Sequence, residues 1–143
     1  MKFTWKWLLD HLETDKNFSE ILETLPKLGL EVASTVNLAE DLKNFISVEI
    51  IDVKKHPNAD KLNVCKVFDG KNTFKVVCGA PNVKLGMKSV FANIGTFIPG
   101  LNLKLKKGKI RGEESFGMLC SEKELTLSAN HDGIIELESS SKL

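Results

Sequence analysis

No stretch of this 143-residue sequence approaches the roughly 20 consecutive apolar residues that a membrane span needs. Lys6, Asp10 and His11 interrupt the apolar run around Trp7, Leu8 and Leu9, so the start of the chain does not read as a secretory signal. Cysteine is scarce. Cys65, Cys78 and Cys120 are odd in number and form no Cys-x-x-Cys pair, which argues against a disulfide framework. Without an export signal they read as reduced thiols packed in the core of a cytosolic protein. A zinc site would need a further ligand from His11, His56 or His131, and none stands at ligand spacing. An excess of one charge is missing too: 20 basic side chains face 19 acidic ones, a net charge of +1. A protein that is basic throughout is thereby excluded, and any binding to nucleic acid has to rest on a local patch.

What is present is ordinary for a soluble globular protein, with 42% hydrophobic and 27% charged residues. Residues 1–38 read as a small helical appendage and residues 39–143 as a separate β domain. The spacing of Trp5, Leu8, Leu9 and Leu12 marks one face of a short helix. Asn17 as N-cap and Glu20 three residues on form a capping-box pattern, opening a second helix striped by Phe18, Ile21, Leu22, Leu25 and Leu28. Pro26 is expected to kink or end this helix early, and Gly29 to cap it. Leu30–Val36 alternates as a strand would, and Asn37–Asn44 is a polar connector.

From Phe45 the period changes to two. Ile46, Val48 and Ile50 share one phase, Ile51 and Val53 the other, and the slip predicts a β-bulge that bends the strand across two faces of a barrel. Leu62–Phe68 and Phe74–Cys78 flank Asp69-Gly70-Lys71-Asn72, a hairpin turn. Val90–Ile94, Leu103–Leu105 and Gly133–Leu137 complete the set, with a helical turn over Glu122–Leu127. Such a series of short strands predicts a small closed barrel or a sandwich.

The chemistry-bearing stretch is Leu103-Lys104-Leu105-Lys106-Lys107-Gly108-Lys109-Ile110-Arg111, with five cations and no acid. Alternation directs Leu103, Leu105 and Ile110 inward and Lys104, Lys106, Lys109 and Arg111 outward, with Gly108 hosting a bulge that restores the phase. Two readings follow: a cationic stripe that tracks a phosphate backbone, or a solvated edge strand whose lysines discourage aggregation. His56-Pro57-Asn58-Ala59-Asp60-Lys61-Leu62 is either a structural turn or a ligand contact through His56 or Lys61. Val77-Cys78-Gly79-Ala80-Pro81-Asn82-Val83 ends a strand in small residues that permit close backbone approach. Gly86-Met87-Lys88-Ser89 lacks the spacing of a phosphate loop. In Ser115-Phe116-Gly117-Met118-Leu119-Cys120-Ser121, Met118 and Leu119 read as core. Ser121 reads as the cap of the Glu122 turn, with Glu124 at the box position, or as a hydroxyl offered to RNA. No paired acid and base, metal set or nucleophile constellation appears, so no catalytic residue is expected.

Taken in register, His56–Leu62, Val77–Asn82, Ile94-Gly95 with Ile98-Pro99-Gly100, Lys109-Ile110-Arg111-Gly112 and Ser115–Ser121 resemble the tRNA-binding OB-fold domain shared by several synthetases and synthetase-associated factors. Trp7-Leu8, Leu28-Gly29-Leu30-Glu31-Val32 and Asp132-Gly133-Ile134-Ile135-Glu136-Leu137 narrow the resemblance to the start of the bacterial phenylalanyl-tRNA synthetase β subunits. This resemblance implies a mainly β chain: a five-stranded OB-fold barrel carrying a small α/β appendage. The appendage would be half of a split domain completed by chain beyond residue 143. It implies tRNA as partner, with Lys104, Lys106, Lys107, Lys109 and Arg111 on phosphates and Lys61, Asn82 and Ser121 as further contacts. It also implies an α subunit in a cytoplasmic (αβ)₂ heterotetramer, where ATP and magnesium serve phenylalanine attachment away from this chain. The rival expectations are a mainly structural role in subunit assembly and a free-standing tRNA-binding chaperone.

Overall fold

The computed structural model describes the backbone of residues 1–143 and every side chain except that of Leu38. The chain divides into two compact units, Met1–Asn37 and Leu38–Leu143.

The first unit holds α1 (Trp5–His11) and α2 (Phe18–Lys27). Thr4 caps α1, its hydroxyl oxygen accepting from the Trp7 N–H at 3.1 Å. The capping box of α2 is complete: the Glu20 N–H donates to Asn17 Oδ1 at 3.1 Å and the Asn17 N–H to Glu20 Oε2 at 2.9 Å. Pro26 does not end α2 early; the helix runs one residue past it, through Lys27. The helix closes in a Schellman motif, with Gly29 at φ +83°. There the Gly29 N–H donates to Pro26 O at 3.0 Å and the Leu30 N–H to Leu25 O at 3.0 Å. The strand expected over Leu30–Val36 does not form. Alternation alone cannot make a strand where no neighbouring edge bonds it. No residue of either helix is buried.

The second unit opens with a short helix inside the expected polar connector, α3 (Leu38–Leu42). Nine strands follow: β1 (Phe45–His56), β2 (Ala59–Phe68), β3 (Thr73–Cys78), β4 (Lys88–Asn93), β5 (Phe97–Ile98), β6 (Leu103–Lys104), β7 (Gly108–Ile110), β8 (Glu113–Ser115) and β9 (Gly117–Leu119). The principal sheet is antiparallel in the order β3-β2-β1-β4-β9, and β5–β6 and β7–β8 are separate ribbons. A register shift between Ile50 and Asp52 leaves Ile51 bulged and 44% exposed. Along one edge β1 pairs with β4 from Phe45 to Glu49, and along the other with β2 from Glu49 to His56, across the bulge. The bulge thus lets one strand serve both halves of the barrel. The Phe116 N–H bonds Lys75 O at 2.8 Å, bringing the β8–β9 corner back to β3 and nearly closing an OB-fold barrel.

Its interior is Val48, Ile50, Cys65, Val67, Val76, Cys78, Met87, Phe91, Leu119 and Ile134. The opposite face of β4 and β9 sends Ala92 and Met118 into a second cluster with Ile98, Cys120 and Leu125. All three cysteines are buried and free. Burial pushes the Cys65 and Cys120 thiols up to about 12, so neither is a reactive thiolate at neutral pH. In the β2–β3 turn, Asp69 Oδ1 accepts from the Asn72 and Lys71 N–H groups at 2.6 and 2.8 Å, and these bonds hold its carboxyl below the usual range.

One further expected element differs. Gly133–Leu137 contributes a single bridge, Leu137 to Lys88, and the closing strand is β9 instead. Glu122–Leu127 makes the expected turn of helix: the Leu125 N–H donates to Ser121 O at 3.4 Å, and Thr126, at φ +57°, ends the turn as its left-handed cap, with the Thr126 N–H on Lys123 O at 3.1 Å and the Leu127 N–H on Glu122 O at 2.9 Å.

Candidate functional site

The cationic run is divided between the two small ribbons. Lys104 lies on β6, opposite Phe97 of β5, whereas Lys109 lies on β7, opposite Glu114 of β8. Lys106 and Lys107 connect them, and the chain changes ladders there instead of continuing through a bulge at Gly108. Lys104, Lys106, Lys109 and Arg111 are exposed, as the alternation requires, and Lys107 is exposed as well. Leu105 packs against the second cluster. Leu103 and Ile110, expected inward, are 44% and 38% exposed.

The five charges are not equivalent. Lys107 Nζ pairs with Glu114 at 2.8 Å and sits 4.6 Å from the centre of the Phe116 ring. The hydrogen bond from Lys107 draws the Glu114 carboxyl below its ordinary range, and one from Lys75 does the same for Glu113. Among the described residues, no carboxylate pairs with Lys104, Lys106, Lys109 or Arg111. The single stripe expected from the sequence is therefore two cationic segments, with Lys107 between them held by an acid.

Arg111 and Gly112 form the turn between β7 and β8, at φ +48° and +100°. Two positive φ values in succession are what a two-residue turn of this hand requires, and arginine is an uncommon residue for it. The turn is pinned from outside. His56 Nε2 bonds the Ile110 carbonyl at 2.9 Å, and Asn58 Nδ2 donates to the Arg111 carbonyl at 3.2 Å. His56 Nδ1 bonds the Asn58 N–H at 3.0 Å, so the imidazole donates through Nε2 and accepts through Nδ1. The His56–Lys61 segment thus has a definite role that its spacing left open: it grips the tip of the basic hairpin. A left-handed arginine held in a tight turn and bonded from outside is the kind of strain found at functional positions.

Lys61 is exposed on β2. Asn82 and Ser121 have other tasks. The Asn82 amide donates to Ile134 O at 2.8 Å and accepts the Ile134 N–H at 3.0 Å, imitating a strand neighbour. Gly133 permits this approach, since a Cβ there would lie 2.3 Å from Asn82 Oδ1. Ser121 is 3% exposed, and its hydroxyl donates to Glu124 Oε2 at 2.8 Å with His131 Nδ1 at 3.2 Å. As a surface hydroxyl for RNA it is corrected: it is an interior cap. Buried Ser115 likewise accepts the Val77 N–H at 3.1 Å and donates to Gly117 O at 2.9 Å, joining β3 to the β8–β9 corner. The close approach that Gly79 permits is made by the neighbouring strand: Leu62 Cδ2 of β2 would stand 3.0 Å from an added Cβ. The grip on Arg111 was not legible, because its partners are more than 50 positions apart.

Comparison with known proteins adds three findings. Residues 45–143 match the family model described as a putative tRNA binding domain. The chain is 51% identical over 138 residues to the phenylalanine–tRNA ligase beta subunit of Bartonella quintana, and 51% identical over 139 residues to that of Bradyrhizobium diazoefficiens. Each match covers 96% of this chain and 17% of the relative, so the chain spans about a sixth of their length. The crystal structure of the MetRS related protein from Pyrococcus horikoshii superposes with a TM-score of 0.52 at 21% identity, over 76% of this chain and 94% of that one. This last likeness concerns the fold.

Proposed function

Because the chain belongs to the putative tRNA binding domain family, we propose that it serves as the tRNA-binding module of a phenylalanine–tRNA ligase β subunit. The observation that carries the physical side of this reading is the set of four exposed cations, Lys104, Lys106, Lys109 and Arg111, without carboxylate partners in a chain of net charge +1. Cations freed of internal partners are available to replace the counterions of a phosphate backbone. Lys61 is a further cation for the same purpose, and Lys107 contributes once Glu114 releases it.

In this reading the parent enzyme joins phenylalanine to tRNA in the cytoplasm at the expense of ATP with magnesium, as an (αβ)₂ assembly with an α subunit. Among the described residues, no cluster of His, Cys, Asp or Glu could hold a metal ion, and no chemical step is assigned to this chain. The described helices include none long and apolar enough to cross a membrane. The Met1–Asn37 unit is read as one part of a split domain. Its support is the exposure of Phe3, Trp7, Leu9, Leu12 and Phe18, apolar side chains that a completing segment would cover.

Titration with tRNA at several salt concentrations tests the proposal. With four phosphates neutralised, log K falls against log salt with a slope of about −3. Affinity independent of salt excludes these cations as the contact. Charge reversal at Lys106 and Lys109 separates the roles: lost tRNA binding supports the module, whereas intact binding with weakened subunit assembly supports a structural role.

A further inference from the structure

The chain has eight phenylalanines and no tyrosine. Within Leu38–Leu143, Phe91 is fully buried, and Phe45, Phe68, Phe74 and Phe116 are partly covered. Phe97 is different: it is 51% exposed, the one exposed phenylalanine among the described residues of this unit. Its neighbours on β5 show that the strand is correctly seated, since Thr96 and Ile98 are buried at 7% and 0%. The alternation therefore turns the Phe97 ring outward, away from the core, and leaves it there.

Its surroundings are specific. Lys104 lies directly opposite on β6, so the ring and the ammonium stem share one face of the ribbon. The pairing continues beyond the two named strands through Leu105 N–H to Thr96 O at 2.8 Å and Gly95 N–H to Leu105 O at 2.7 Å, which fixes the register. Gly95, at φ +92°, adds no side chain beside them, and a Cβ there would meet Lys104 Cε at 4.0 Å. Lys106 follows two residues along the same run. An outward ring flanked by cations without carboxylate partners is the combination that receives an unpaired nucleobase, the ring stacking on the base while the ammonium groups meet the adjoining phosphates. A protein partner would also accept the ring, but the unpaired Lys104 opposite it, with the unpaired Lys106 farther along the same run, favours an anionic strand.

We propose that Phe97, with Lys104 and Lys106, forms a stacking subsite for an unpaired base of RNA. The inference rests on the tRNA-binding reading and adds to it a contact that does not depend on charge. It predicts a preference for loops or ends over duplex, because only an unstacked base can reach the ring.

The test compares the full chain with Phe97→Ala, Phe97→Leu and Phe97→Trp, using a short oligoadenylate and a blunt RNA duplex of equal phosphate count. Phe97 is exposed on an edge ribbon, so these variants are expected to keep the fold, and thermal unfolding checks this. Expected is a loss of about tenfold or more in oligoadenylate affinity for the Ala and Leu variants, from the usual contribution of one stacked base. The salt slope should be unchanged and duplex binding unaffected. The Trp variant should retain affinity and show quenched emission relative to the background of Trp5 and Trp7. Unchanged oligoadenylate affinity in Phe97→Ala, with the unsubstituted chain binding normally, overturns the subsite and assigns the ring to a protein contact. Equal losses for both RNAs also overturn it. Failure of the unsubstituted chain to bind the oligoadenylate while it binds tRNA also overturns the subsite, whereas failure to bind tRNA overturns the tRNA-binding reading itself.

Discussion

Arg111 combines an exposed guanidinium with a backbone conformation that costs an arginine about 1–2 kcal/mol. Asparagine tolerates that conformation, and Asn-Gly is the preferred pair for such a turn. Arg111→Asn is therefore expected to raise the stability of the chain by about 1 kcal/mol, read as a higher unfolding midpoint. It should weaken tRNA binding at the same time and make the salt slope shallower by about 0.7–0.9, the share of one phosphate. Lower affinity with an unaltered slope would show that the guanidinium does not reach a phosphate. His56 and Asn58 belong to the same account, because their bonds go to carbonyls and survive the substitution. The composition of the His56–Lys61 turn was legible, but not the object of its grip.

The β7–β8 ribbon carries both signs of charge, and its acids limit what its lysines can do. Glu114 holds Lys107, and Lys109 stands across from Glu114. Glu114→Gln is expected to release Lys107 and steepen the salt slope of tRNA binding by about 0.7–0.9. A slope equal to that of the unsubstituted chain would mean that Lys107 never meets RNA. Acid should act in the same direction. The Glu114 carboxyl is drawn below its usual range, first by the Lys107 hydrogen bond and then by the lysine charge, so the pair is intact at neutral pH. Its small contribution to stability is present above the ordinary carboxylate range and disappears as pH falls through the lowered value. Glu113 and Glu114 follow the cationic run after Gly112, yet only the folded chain shows which lysines they pair with, Lys75 and Lys107.

The two units of the chain differ in how they can be stable. Leu38–Leu143 encloses a continuous interior around Phe91, Ile50 and Val67, whereas neither helix of Met1–Asn37 has a buried residue. With so little apolar surface removed from water, the helices of the first unit depend mostly on caps and local contacts, which sustain short helices poorly. Amide exchange is expected to be fast throughout Met1–Asn37 and slowest in β1, β2 and β4, and limited proteolysis should leave a resistant piece beginning near Leu38. Equal protection in both units would overturn this division.

Periodicity and turn chemistry decided most of the local structure: the caps of α2, the Asp69–Asn72 hairpin, the bulge at Ile51 and the outward direction of the lysines all follow from forces between residues a few positions apart. The same local rules failed wherever the outcome depended on a distant partner. Leu30–Val36 had the alternation of a strand and no edge to join. Ser121 and Asn82 had polar side chains that the barrel took inside or against its own backbone. The run of five cations was written in the chain, but its division into four free charges and one held by Glu114 came from packing. Coulomb and hydrogen-bond energies depend on distance in space, and only the folded chain sets those distances.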